Sequence, residues 1–171
     1  MTSREREIFE EQCGPQGSQS KQRIVIKVGS SLLASDEHLR PRYSFMHGLL
    51  SDIADLQRQG YEVVLASSGS VALGLNALNL DIENAGVQEK QAAAACGQPI
   101  LLNAYKQIAL ENGFDIAQVL VTVDDLEQRR RFLNTKNTVH TLLEKGILPI
   151  VNENDTVTTE EIRVGDNDRL A

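Results

Sequence analysis

Ile147-Leu148-Pro149-Ile150-Val151 runs directly into Asn152-Glu153-Asn154-Asp155-Thr156-Val157. A short apolar run of this kind suits a buried strand. At its carboxyl end it opens into side chains whose main capacity is hydrogen bonding. Open α/β sheets place their ligands there, in the crevice beyond the carboxyl ends of the strands. A second polar cluster comes at Val164-Gly165-Asp166-Asn167-Asp168. Asn and Asp favour turns for local reasons, but their density at two adjoining places points to a site.

Working back along the chain, the same alternation repeats. Ile24-Val25-Ile26-Lys27-Val28 is a β-branched run closed by Gly29, and Tyr61–Ala66 and Ile116–Thr122 read as further strands. Between them, Arg42–Gln59 carries Phe45, Leu49, Ile53 and Leu56 at helical spacing and stops at Gly60. A helix is expected from Ser70 through Leu78. Val87–Asn112 is helical and Ala-rich, with Gly97 and Pro99 expected to kink or split it. Asp124 and Asp125 can cap the segment after them, and Asn137–Lys145 reads as the last helix before the fourth strand. Strands separated by helices imply a mainly parallel, helix-covered sheet with right-handed crossovers. A hairpin is expected around Thr158–Glu161, with Glu161–Val164 returning.

Composition narrows the function classes. The chain has 171 residues, a net charge of -7 and 41% apolar residues, ordinary values for one globular domain. An acidic surface argues against nucleic-acid and membrane partners. Arg129-Arg130-Arg131 is the one basic cluster and reads as a solvated face. Cys13 and Cys96 sit in unlike contexts, and no Cys/His spacing suits zinc, so neither a disulfide framework nor a metal site is expected. The three histidines are scattered. No apolar stretch would span a membrane and no secretory signal opens the chain, so a cytoplasmic protein is expected. Residues 1–22 are polar and read as a disordered extension.

Each strand end offers chemistry. Lys27 precedes Gly29, Ser30 and Ser31. A glycine there admits a phosphate, neighbouring N–H groups bind its oxygens, and the lysine supplies positive charge. The spacing is neither a Walker A loop nor a Gly-x-Gly-x-x-Gly fingerprint, and a plain turn is an equal reading of it alone. Ser67-Ser68-Gly69-Ser70 leads into a helix whose first N–H groups can bind an anion, or whose serine merely caps it. Asp155 and the acids around Asn167 can grip a substrate ammonium.

Ile26-Lys27-Val28-Gly29-Ser30-Ser31, Ser67-Ser68-Gly69, Gln118–Thr122, Arg131-Phe132-Leu133-Asn134-Thr135, Asn152–Asp155 and Val164–Asp168 together resemble the glutamate 5-kinases of the amino acid kinase family. The resemblance runs from about Arg23 to Ala171. It implies an α/β three-layer sandwich and, in residues 23–171, the N-terminal, glutamate-binding part of the kinase domain. By position it makes Lys27 a phosphate-contacting catalytic lysine, with Gly29 and Ser30 beneath the nucleotide phosphates. Ser68, Asp155 and Asn167 then bind glutamate, and Asp166 and Asp168 take substrate-binding or catalytic roles.

The activity the resemblance implies is transfer of the ATP γ-phosphoryl group, with Mg2+, to the side-chain carboxylate of L-glutamate, opening proline biosynthesis. A homo-oligomer and a proline feedback ligand come with it. In that family a second half holding most nucleotide contacts comes next, so this chain is expected to be a poor catalyst alone. Two alternatives stay open: a non-catalytic glutamate- or proline-binding module, and another amino acid kinase with a different acceptor.

Overall fold

The computed structural model describes residues 21–34, 40–81 and 84–157. Most of the expected extension, the expected hairpin, and the candidates Asp166, Asn167 and Asp168 lie outside the described residues. Four strands, β1 (Arg23–Val28), β2 (Glu62–Ser67), β3 (Ile116–Val121) and β4 (Leu148–Glu153), form one sheet in the order β1-β2-β4-β3. All three pairings are parallel, as the strand–helix alternation implies. Among the described residues six helices connect them: α1 (Ser30–Leu33), α2 (Tyr43–Arg58), α3 (Ser70–Leu78), α4 (Val87–Glu111), α5 (Val123–Glu127) and α6 (Arg129–Glu144).

The chain crosses the sheet one way from β1 to β2 and the opposite way from β3 to β4. Right-handed crossovers then place α2 and α4 on one face and α6 on the other. The main core fills the first face. Val28, Val63, Leu65, Leu148 and Ile150 of the strands meet Met46, Leu50 and Ile53 of α2 and Leu101, Tyr105 and Ile108 of α4. Each such side chain contributes roughly 1.5–3 kcal/mol by leaving water. On α6 only Leu143 is buried, against the second face. Lys27 lies on that second side, because β1 alternates and Val28 points to the core.

Two expectations are corrected. The split expected at Gly97 and Pro99 does not occur: helix α4 runs unbroken over 25 residues, with Pro99 inside it. Proline removes one helical hydrogen bond, the one Ala95 would accept, yet Ala95 and Pro99 are both on the exposed side, where water reaches the carbonyl. The buried side of α4, Ala93, Ala94, Gly97, Leu101, Ala104, Tyr105 and Ile108, runs past the proline without a break. The last helix begins at Arg129 instead of Asn137. Its N-terminal half is exposed, so no apolar spacing marked it.

Gly97 has a packing role. A Cβ on it would stand 1.8 Å from the Ser70 carbonyl oxygen, and one on Gly74 would stand 1.7 Å from that of Ala93. Helices α3 and α4 therefore touch backbone to backbone. Gly97→Ala is expected to destabilise the protein by more than about 3 kcal/mol, since backbone cannot yield as a flexible side chain does. Gly48→Ala, on the exposed side of α2 with open space around it, should instead raise stability by ~0.5–1 kcal/mol. Thermal unfolding of the two variants checks both signs.

Candidate functional site

Because the strands are parallel, all their carboxyl ends emerge at one edge of the sheet. β1 gives way to Gly29 and Ser30, β2 to Ser68, Gly69 and Ser70, β3 to Thr122, and β4 to Asn154 and Asp155. Backbone bonds join these exits in the sheet order. The Ser68 N–H donates to the Val28 carbonyl at 3.1 Å, and the Asn154 N–H donates to the Val121 carbonyl at 2.8 Å. Lys27, Gly29, Ser30, Ser68 and Asp155 thus share one edge.

The central contact joins the exits of β2 and β4. Ser70 Oγ donates to Asp155 Oδ2 at 3.0 Å, across 85 residues of chain. Ser70 is buried and opens α3, whose first N–H groups have no partner within the helix ladder. Its N-cap is Gly69 at φ 107, a left-handed conformation that suits glycine, so no serine caps this helix. Burial pushes the Asp155 carboxyl above the ordinary carboxylate range, and the Ser70 bond offsets part of that rise. A positive charge placed beside it would lower that pKa again.

At Gly29 the backbone is extended (φ -76, ψ 160), and a Cβ there would meet nothing within 4 Å. The glycine is not required by its own conformation. It leaves open space above the loop. The exit of β3 is closed by a capping box: Asp125 accepts from the N–H and hydroxyl of Thr122 at 2.8 and 2.7 Å, and Arg131 pairs with it at 3.0 Å. The Thr122 hydroxyl, then its N–H, and then Arg131 hold the Asp125 carboxyl below the ordinary range. The N-cap itself is Thr122, two residues before Asp124, while Asp125 joins the cap as the third residue of the box, and Arg131 is exposed as expected.

Behind this edge lies a layer of buried polar groups. Ser67 Oγ and the Tyr105 hydroxyl stand 3.0 Å apart, both buried. Burial pushes the phenol well above its usual value, so it stays protonated. Asn152 Nδ2 donates to Gln98 Oε1 at 3.0 Å, and Asn152 Oδ1 accepts from the Glu153 N–H at 2.9 Å. The roles of Ser70, Gln98 and Tyr105 are not among those expected from sequence. Only Ser70 carried a signal, as the polar first residue of a helix beside a strand end.

Among the described residues, no three His, Cys, Asp or Glu side chains gather to hold a metal ion. No helix among them is long and apolar enough to cross a membrane. Asp155 generates a stability prediction. Its folded pKa is raised, so ionisation costs more in the folded than in the unfolded chain, and stability falls as pH rises from the unfolded value of about 3.9 through the folded one. Asp155→Asn, which keeps an acceptor for Ser70, should therefore melt higher than wild type at pH 7. The gap should close as pH is lowered through the carboxyl's folded pKa, which melting curves across pH would show.

Comparison with known proteins adds an independent line. The model of the amino acid kinase family matches residues 22–171. The glutamate 5-kinase of Ruegeria sp. is 50% identical over 149 residues, 87% of this chain and 40% of that protein. That of Rhodospirillum rubrum is 48% identical over 147 residues, 86% of this chain and 39% of that protein. The glutamate 5-kinase of Caulobacter vibrioides is 48% identical over 159 residues, 92% and 42% of the two chains. The chain thus spans about two fifths of the length of these curated relatives. The solved structure of Giardia carbamate kinase matches with a TM-score of 0.52 at 15% identity, over 78% of this chain and 60% of that one, a likeness of fold. With an all-parallel sheet, a polar edge built at its strand ends and a family match over nearly its whole length, the chain belongs to the amino acid kinase family.

Proposed function

We propose that the protein phosphorylates the side-chain carboxylate of L-glutamate with ATP, giving γ-glutamyl phosphate for proline biosynthesis. The observation that carries this reading is the Ser70–Asp155 contact: a part-buried carboxylate with a raised pKa, held by a neutral hydroxyl close to Ser68 in the chain. An amino-acid ammonium would supply the positive charge this carboxylate lacks. The identity to proteins named glutamate 5-kinase supports the same acceptor.

Ser68 and Asp155, with Asn167, would bind glutamate and aim its γ-carboxylate at the nucleotide phosphates over Gly29 and Ser30. A carboxylate with a pKa of about 4.3 is already ionised near neutrality, so no general base is needed. One of its oxygens bonds to the γ-phosphorus as the bond to the bridging oxygen breaks, and ADP leaves. What remains is to hold two anions together and offset charge on the transferring group. Lys27 would do that with its ammonium. Mg2+ would come with the nucleotide, held chiefly by phosphate oxygens and water, and Asp166 and Asp168 would take the substrate-binding or catalytic roles the resemblance implies. Proline shares the α-ammonium and carboxylate and would compete for Asp155, and a homo-oligomer is the assembly we propose.

In the intact protein, Lys27→Ala should lower kcat by about 10²–10³ while the glutamate KM changes little, as for loss of a group acting on transition-state charge. Asp155→Ala should chiefly raise the glutamate KM. Steady-state ADP release at varied glutamate separates the two. Unchanged constants in both variants would show the site to be misplaced. Glutamate binding without turnover would favour the non-catalytic module instead.

A further inference from the structure

The loops that carry Ser70 and Asp155 are tied from behind by one helix. Gln98 of α4 holds Asn152, the penultimate residue of β4 and three residues before Asp155. One residue earlier, Gly97 lies against the Ser70 backbone. Seven residues later on the same helix, Tyr105 holds Ser67, the last residue of β2. Helix α4 therefore contacts both strand exits that meet in the Ser70–Asp155 bond.

The direction of the Asn152–Gln98 bond is dictated by chemistry. The Glu153 N–H can only donate, so Asn152 must turn its carbonyl oxygen to it and its amide nitrogen to Gln98. Gln98 must then present its own carbonyl oxygen. Asn152 is 2% exposed, so little water is available to replace that acceptor. The amide thus locks the last peptide of β4, two residues before Asp155.

We infer that Gln98 is a positioning residue for the acceptor site: by fixing the Asn152 amide it sets where Asp155 meets Ser70 and a substrate ammonium. This rests on glutamate being the phosphoryl acceptor. It assigns Gln98 no contact with substrate.

The test is steady-state kinetics of the intact protein with Gln98→Met and Gln98→Glu, alongside thermal unfolding. Loss of the acceptor in Gln98→Met should raise the glutamate KM about tenfold, with the ATP KM within about twofold, because the displaced group meets only the acceptor. Gln98→Glu keeps an oxygen for Asn152 Nδ2 and should return the glutamate KM to within about threefold of wild type. Where the Met variant does not fold, Gln98→Asn withdraws the carbonyl by one methylene and should raise the glutamate KM in the same direction. A lowered Tm with unchanged glutamate KM would make Gln98 a stability residue and overturn the inference. Equal rises in the glutamate and ATP constants would overturn it too. Wild-type protein that does not phosphorylate glutamate would instead remove the proposed acceptor, and this inference with it.

Discussion

The approach of α3 to α4 without side chains between them is the constraint on which the rest of the site depends. Gly74 and Gly97 interlock, each filling the space where the other helix's backbone passes. This contact puts Ser70 at the end of β2 and Gln98 beneath the end of β4 in a single geometry. The strands supply the direction of the site, since parallel pairing brings every carboxyl end to one edge. The helix pair supplies its dimensions. With a larger residue at either glycine, the hydroxyl of Ser70 and the amide of Asn152 would be held relative to different frames.

Two aspartates at that edge show how environment divides one side chain into different tasks. Asp125 receives an N–H, a hydroxyl and a guanidinium, which all favour its ionised form. It closes a helix end, with its partners already in place. Asp155 is more deeply set and, among the described residues, has its donor in the neutral Ser70 hydroxyl. Burial there outweighs the hydroxyl's help, so its ionised form is held less well than that of Asp125. Polarity alone does not separate the two. The donors and the burial do.

The four strands were legible because each is a short apolar run that ends in small or polar residues, and their shared direction comes from the helices between them. The placement of Lys27, Gly29, Ser30, Ser68 and Asp155 along one edge was legible for the same reason: each sits at or just beyond a strand end. The continuous α4 was not. Local rules place a break at Pro99, whereas the unbroken buried face of the helix outweighs one lost bond on its wet side. Helix α6 hid its first half because residues 129–134 are all exposed and leave no buried stripe to read. Gln98 and Tyr105 were illegible in principle. Their partners, Asn152 and Ser67, are 54 and 38 residues away, and no local pattern encodes such pairings.

The strand order carries a kinetic consequence. β4 is the last of the four to be made, yet it lies between β2 and β3. Until residues 148–153 leave the ribosome, β3 has no neighbour in the sheet, and β2 offers β1 alone a complete ladder of six pairs. The join between β2 and β4 then rests on two residue pairs, Leu65 with Ile150 and Ala66 with Val151. Such late insertion of a central strand is a non-local, slow event, and it leaves apolar strand edges open while it is awaited. Asp155 lies two residues beyond that strand, so its contact with Ser70 cannot form before β4 has been made.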